Sequence, residues 1–197
     1  MTDEREQWDH KYREGSHASL TPDPFLLDAY EHFVTPLSGQ PGNALDLAGG
    51  VGRHALWLAE RSWHVDLLDV SPVGIELANK NALQRGLTQS IDARVCDLSE
   101  TAWQTQLKAK YDLAVVFFFL DRALFPAIQA ALRPGGLLVY KTYTREHPRL
   151  RGGKGPSHPM YLLESNELLR AFSGMQVLHY RESVKDRGVA ELVARKT

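Results

Sequence analysis

Ala44-Leu45-Asp46-Leu47-Ala48-Gly49-Gly50-Val51-Gly52-Arg53-His54-Ala55 reads as a buried strand, a glycine turn and the first turn of a helix. Glycine in such a turn takes positive φ and lets a ligand approach the backbone. The helix that follows offers unpaired N–H groups and the positive end of its dipole. The combination predicts a nucleotide-cofactor site at the head of an α/β sheet.

Two kinds of cofactor suit this turn. Gly50-x-Gly52-x-x-Ala55 matches the dinucleotide fingerprint, with Asp69 as the acid about twenty residues on that takes a ribose. Asp46 argues the other way, because a carboxylate just before the glycines repels a pyrophosphate and complements a cation. S-adenosylmethionine carries an ammonium and a sulfonium and no phosphate, so the acid suits it directly or through water.

The stretch Leu45-Asp46-Leu47-Ala48-Gly49-Gly50-Val51-Gly52 resembles the first motif of the class I S-adenosylmethionine-dependent methyltransferases, hydrophobic-Asp-x-Gly-x-Gly-x-Gly, in which a small residue often replaces the first glycine. The resemblance continues in Val65-Asp66-Leu67-Leu68-Asp69-Val70-Ser71, where it implies that Asp69, followed by Val70, takes both ribose hydroxyls. Val95-Cys96-Asp97-Leu98 resembles the next motif and implies that Asp97 accepts from the adenine amino group. Tyr111 to Leu120 looks like the fourth strand, with the backbone carbonyls of Phe117 and Phe118 facing the cofactor's ammonium, and Leu132 to Val139 like the turn into the fifth. Four motifs in order cover roughly residues 44 to 142, which is far more specific than any one of them.

Plainer readings stand beside these. Asp69 and Asp97 could be ordinary loop or cap residues, since Ser71 followed by Pro72 is itself a helix start. Cys96 reads as a small buried hydrophobe beside the adenine rather than a nucleophile, because nothing near it in sequence would lower its pKa. The run Phe117-Phe118-Phe119 is mainly core and site wall.

With 197 residues, of which 43% are hydrophobic, the chain can bury an ample core. It is expected to be one methyltransferase domain, residues 1–197, with 1–40 forming an N-terminal lid and helix and 41–197 the α/β core. A formal net charge of −1 gives no broad basic field for nucleic-acid phosphates, so a small-molecule acceptor is expected and no nucleic acid. One cysteine and a polar start without the apolar core of a signal peptide point to a cytoplasmic protein. The longest apolar run, Leu113 to Leu120, is far below the ~20 residues of a membrane helix and suits a central parallel strand. No histidine pair has ligand spacing, so no metal is expected. Either a monomer or a homodimer is compatible with all of this.

Segments of alternating strand and helix predict a Rossmann-like doubly wound sheet. Strands are expected near 44–48, 64–69, 91–95, 112–119, 136–142, 176–182 and 189–195, and helices near 22–35, 52–61, 71–86, 100–108, 121–132 and 164–173. Ser183 to Gly188 is too short for a parallel crossover, so the final strand must be antiparallel. The family resemblance implies the order 3-2-1-4-5-7-6.

Trp8-Asp9-His10-Lys11-Tyr12-Arg13 is unusual for a tail, since disordered segments seldom carry two large aromatics so close together. It resembles the tellurite-resistance and thiol methyltransferase branch of the family, which implies a lid made by Trp8 and Tyr12, with Arg13 near the methionyl carboxylate. The plainer reading is a helix packed on the sheet edge.

The acceptor end is expected in Thr142 to Glu164, because open α/β sheets bind ligands beyond the carboxyl ends of their strands. That connection carries Arg145, His147, Arg149, Arg151, Lys154 and His158 among glycines, a cationic loop suited to an anionic acceptor. His147, His158 and Tyr143 are the candidate bases for an amine or hydroxyl, although loop histidines are usually exposed. Farther on, Glu164 to Phe172 and Tyr180-Arg181-Glu182 again resemble the tellurite-resistance branch. The final hairpin departs from it, with only Lys185 and Arg187 in a short turn. Methyl transfer to a small soft or anionic acceptor is therefore expected. The alternatives are a methyltransferase-like binding module without activity and a nicotinamide-dependent oxidoreductase, for which the chain lacks a substrate domain.

Overall fold

The structure is a computed structural model that describes residues 2–100, 103–104, 107–147, 156–184 and 187–197. Seven strands form one mixed sheet: β1 (Asn43–Leu47), β2 (His64–Asp69), β3 (Ile91–Val95), β4 (Tyr111–Phe117), β5 (Leu132–Tyr143), β6 (Gln176–Ser183) and β7 (Val189–Arg195). The order is β3-β2-β1-β4-β5-β7-β6. β1 to β5 pair in parallel, and β7 runs antiparallel to both β5 and β6. Both expectations, the order and the reversed last strand, agree with the structure.

Buried β1 and β4 occupy the centre because most of their side chains on both faces are apolar, as parallel strands covered by helices require. Alternation then assigns faces. Leu45, Leu47, Ala114 and Val116 pack on one side with Tyr140 and Phe172. Ala44, Val65, Leu67 and Val115 pack on the other with Phe25, Ala55 and Ala78. Asp46 and Asp69 share the parity of Ala44 and Leu67, so they project into the face covered by α4 (Arg53–Ala59) and α5 (Pro72–Gln84).

Local chemistry fixes the helix starts. Ser71 Oγ accepts from Gly74 N at 3.0 Å, and Pro72 occupies the first turn of α5. The predicted helix at 22–35 begins instead at Asp23, whose Oδ1 accepts from Phe25 N at 2.9 Å with Pro24 at the first position. It comprises α2 (Pro24–Ala29), a π-helical turn (Tyr30–Val34) and α3 (Thr35–Ser38).

β5 begins earlier than predicted, because Leu132 pairs with Tyr111 and a register shift before Leu113 absorbs the Pro-Gly-Gly segment. The preceding helix α6 (Phe125–Ala131) therefore stops short, and residues 122–124 form a 3-10 turn. The helix predicted near 100–108 is seen only at residues 103–104; 101–102 and 105–106 lie outside the described residues. α7 (Glu167–Ala171) is shorter than its predicted range. Among the described residues no helix is long and apolar enough to cross a membrane.

Candidate cofactor and acceptor site

Two carboxylates organise the glycine turn. At the end of β2, Asp69 Oδ2 accepts from Gly50 N at 2.8 Å and Oδ1 from Ser71 N at 2.9 Å, tying the turn to the start of α5. Asp46 Oδ2 accepts from Ala55 N at 3.1 Å and so satisfies an N–H at the start of α4, whose cap residue Gly52 has no side chain to do it. Ala48, Gly50 and Gly52 have φ of 54°, 56° and 84°. Ala48 thus stands in a left-handed conformation that costs an alanine roughly 1 kcal/mol.

Both acids are buried, and burial is the main cause of their shifts. The Asp46 carboxyl is pushed up to about 7, against the opposing pull of Arg53 and the Ala55 amide. Asp69 is also raised, with the Ser71 and Gly50 amides opposing and Asp9 and Glu4 adding to the rise.

The N-terminal helix α1 (Thr2–Arg13) covers this turn. Tyr12 is 7% exposed and lies where a Cβ on Gly50 or Gly74 would sit, so only glycines admit its ring. Trp8 is half-buried and stacks on Tyr12 at 5.7 Å, with Lys11 Nζ 4.1 Å from the Trp8 ring. Asp9 latches the helix down: its carboxylate accepts from Ser71 Oγ and, at 3.3 Å, from Val73 N. Arg13 turns outward to Asp9 at 3.7 Å.

Beyond β3, a cleft of about 240 Å³ opens between Leu68, Cys96, Asp97, Trp103 and Leu107. Cys96 N donates to Asp69 O at 2.8 Å, so the ends of β2 and β3 are joined beside the cleft. Asp97 Oδ1 accepts from Ser99 N at 2.9 Å and Ser99 Oγ at 2.6 Å. Leu98 is buried and its carbonyl accepts from Trp103 Nε1 at 3.1 Å. Val70 is half-exposed at the end of β2. Burial raises the Cys96 thiol, in keeping with a packing residue rather than a nucleophile.

At the end of β4, Phe117 is buried, and Phe118 has φ of 58° with its N–H donating to Lys141 O at 2.7 Å. Tyr143 lies 4.9 Å from the Phe118 ring and His147 4.2 Å from Tyr143. The structure thus brings Tyr143 and His147 to Phe118 and, contrary to expectation for a loop histidine, buries His147 at 2% exposure. His158 is exposed, and its Nδ1 accepts from Met160 N at 3.3 Å in the cap of a 3-10 turn. Arg145 pairs with Glu164. Arg149, Arg151, Lys154 and Lys185 lie outside the described residues. Sequence reading passed over Asp9, whose partners are more than sixty positions away, and Arg53, which stood in the open directly after Gly52.

The order of the sheet, the glycine turn and the acids at the ends of β1 and β2 define the class I S-adenosylmethionine-dependent methyltransferase architecture. Residues 44–136 match the methyltransferase domain family. The tRNA 5-carboxymethoxyuridine methyltransferase of Escherichia coli (strain K12) is 27% identical over 123 residues, 60% of this chain and 46% of that protein. The chain thus spans about half the length of that curated relative. A structure from work on the conversion of a disulfide bond into a thioacetal group during echinomycin biosynthesis superposes with a TM-score of 0.74 at 20% identity, covering 98% of this chain and 92% of the other. TehB from Haemophilus influenzae superposes with a TM-score of 0.72 at 19% identity, covering 95% and 66%.

Proposed function

We propose that the protein transfers the methyl group of S-adenosylmethionine to a small, soft or anionic acceptor such as a thiol or a chalcogen oxyanion. The observation that carries the cofactor half is the pairing of two buried acids at the ends of β1 and β2 around a turn whose glycines admit a close neighbour. A ribose diol asks for an acceptor such as Asp69, an adenine amino group for Asp97, and an ammonium for Asp46 and the carbonyls of Phe117 and Phe118. In this reading Ala48, Gly49, Gly50 and Gly52 cradle the ligand, Cys96, Leu98 and Val70 border the adenine, and residues 1–40 cover the 41–197 core.

When bound, the cofactor supplies a methyl carbon already activated by a positive sulfur. The protein's work is then alignment and exclusion of water. The acceptor's lone pair forms the bond to carbon as the carbon–sulfur bond breaks, and the electron pair stays on sulfur. An anionic nucleophile loses charge in that step, which a dry aromatic wall favours over water. Trp8, Tyr12 and Phe118 supply such a wall. A neutral acceptor needs a base, and buried His147 beside Tyr143 is better placed for this than exposed His158.

A soft acceptor is in keeping with the neighbour from work on the conversion of a disulfide bond into a thioacetal group. The tRNA-modifying relative favours a second reading, a nucleic-acid-borne acceptor, against which the near-neutral charge stands. The test is release of S-adenosylhomocysteine in a screen of thiols, selenite, tellurite, carboxylates and bulk tRNA. Turnover confined to tRNA selects the second reading. No turnover with any acceptor, despite cofactor binding, selects a non-catalytic binding module.

A further inference from the structure

Phe118 holds a backbone conformation that a bulky side chain adopts only when its surroundings force it. Its N–H is pinned to the Lys141 carbonyl just past the end of β4, and three cations gather around its ring. Arg53 lies 5.6 Å from the ring centroid, Lys141 5.8 Å and Arg187 5.9 Å. One ring face offers a cation only about 0.5–2 kcal/mol, too little to justify three like charges at one place.

The three differ in their compensation. Lys141 is neutralised by Asp23 at 2.9 Å and Glu191 at 3.1 Å. Among the described residues, neither Arg53 nor Arg187 has a carboxylate at ion-pair distance. Two guanidinium groups beside one aromatic surface, Arg53 sharing its charge with the buried Asp46 and neither ion-paired among the described residues, make a receptor for a planar anion, since each can fork onto carboxylate oxygens. Tyr143, 4.9 Å from Phe118, extends the flat surface.

We propose that Arg53 and Arg187 hold the carboxylate of an aryl carboxylate acceptor whose ring packs on Phe118 and Tyr143. The proposal rests on the methyltransferase reading and names the part of the acceptor that is recognised rather than the atom that is methylated. The arginines lower the energy of the bound acceptor; the nucleophile is a separate group on the same ring.

The experiment uses the whole chain saturated with S-adenosylhomocysteine and titrates benzoate and its uncharged isostere benzamide by calorimetry. Benzoate is expected to bind at least about tenfold tighter than benzamide, the scale of one charged hydrogen bond. R187Q should remove that preference while Arg187→Lys keeps part of it, and S-adenosylhomocysteine affinity should change less than about threefold in both. Circular dichroism confirms that the variants are folded. Equal binding of benzoate and benzamide, or a preference unchanged by R187Q, overturns the proposal while leaving the methyltransferase reading intact. If R53Q weakens S-adenosylhomocysteine as much as benzoate, Arg53 belongs to the methionyl carboxylate and the clamp is likewise overturned. A wild-type chain that binds no S-adenosylhomocysteine defeats both the reading and the proposal.

Discussion

The Tyr12 hydroxyl sits against Gly50 in the space a Cβ would fill, so the cover helix and the glycine turn are shaped to one another. Gly50 also has φ of 56°. Gly50→Ala therefore meets both strain and overlap, and is expected to cost roughly 1–3 kcal/mol and to loosen α1. Gly86, with φ of 71° and nothing within 4 Å, is the control. Gly86→Ala should cost about 1 kcal/mol with no change in hydrogen exchange over residues 2–13. Equal exchange in the two variants would separate Tyr12 from the turn.

Asp9 is the latch of that cover, through Ser71 Oγ and Val73 N. Asp9→Ala should speed hydrogen exchange in α1, and added cofactor should slow it again in the wild type. Exchange over residues 5–18 that is the same with and without cofactor would reduce α1 to a helix packed on the sheet.

Asp69 carries two tasks, holding Gly50 and Ser71 amides and, in the proposed function, the ribose. Asp69→Asn keeps an acceptor oxygen and loses the charge, so cofactor binding should weaken by about 1–3 kcal/mol in calorimetry. Asp69→Ala should also lower the melting temperature, because two buried amides lose their partner. Unchanged affinity in both variants removes Asp69 from the cofactor site.

The strands were legible because apolar runs such as Leu113 to Val116 carry their own burial requirement, and Ser71-Pro72 announces α5 locally. The start of β5 was not. Pro134, Gly135 and Gly136 spell a turn, and only the pairing of Leu132 with Tyr111 extends the strand through it. The same division runs through the site. Asp46, Asp69 and the glycines stand in one or two short motifs, whereas the Asp9 latch and the cations around Phe118 are assembled by packing between distant segments. His147 was expected on the surface, and its burial against Tyr143 follows from tertiary contacts that loop composition does not encode.

Burial raises the Asp46 carboxyl from 3.8 to about 7, so between those values the folded chain keeps a proton that the unfolded chain has released. Its contribution to stability is fully present below the lower value and falls as pH rises toward 7, by up to about 1.4 kcal/mol per pH unit. A ligand ammonium nearby favours the ionised acid, so cofactor binding at pH 6.5 should expel a proton and tighten as pH rises. Calorimetry in two buffers of different ionisation heat measures that proton, and Asp46→Asn should abolish its release. Equal proton release in the variant would place the titration elsewhere.

Calorimetric titration of the wild-type chain with S-adenosylmethionine, S-adenosylhomocysteine and NAD, each alone, tests the central claim most directly. Saturable one-to-one binding of both S-adenosyl nucleosides, and no heat with NAD, is the predicted result. Binding of NAD with neither nucleoside bound would show that the turn from Asp46 to Ala55 serves a dinucleotide and would contradict the account.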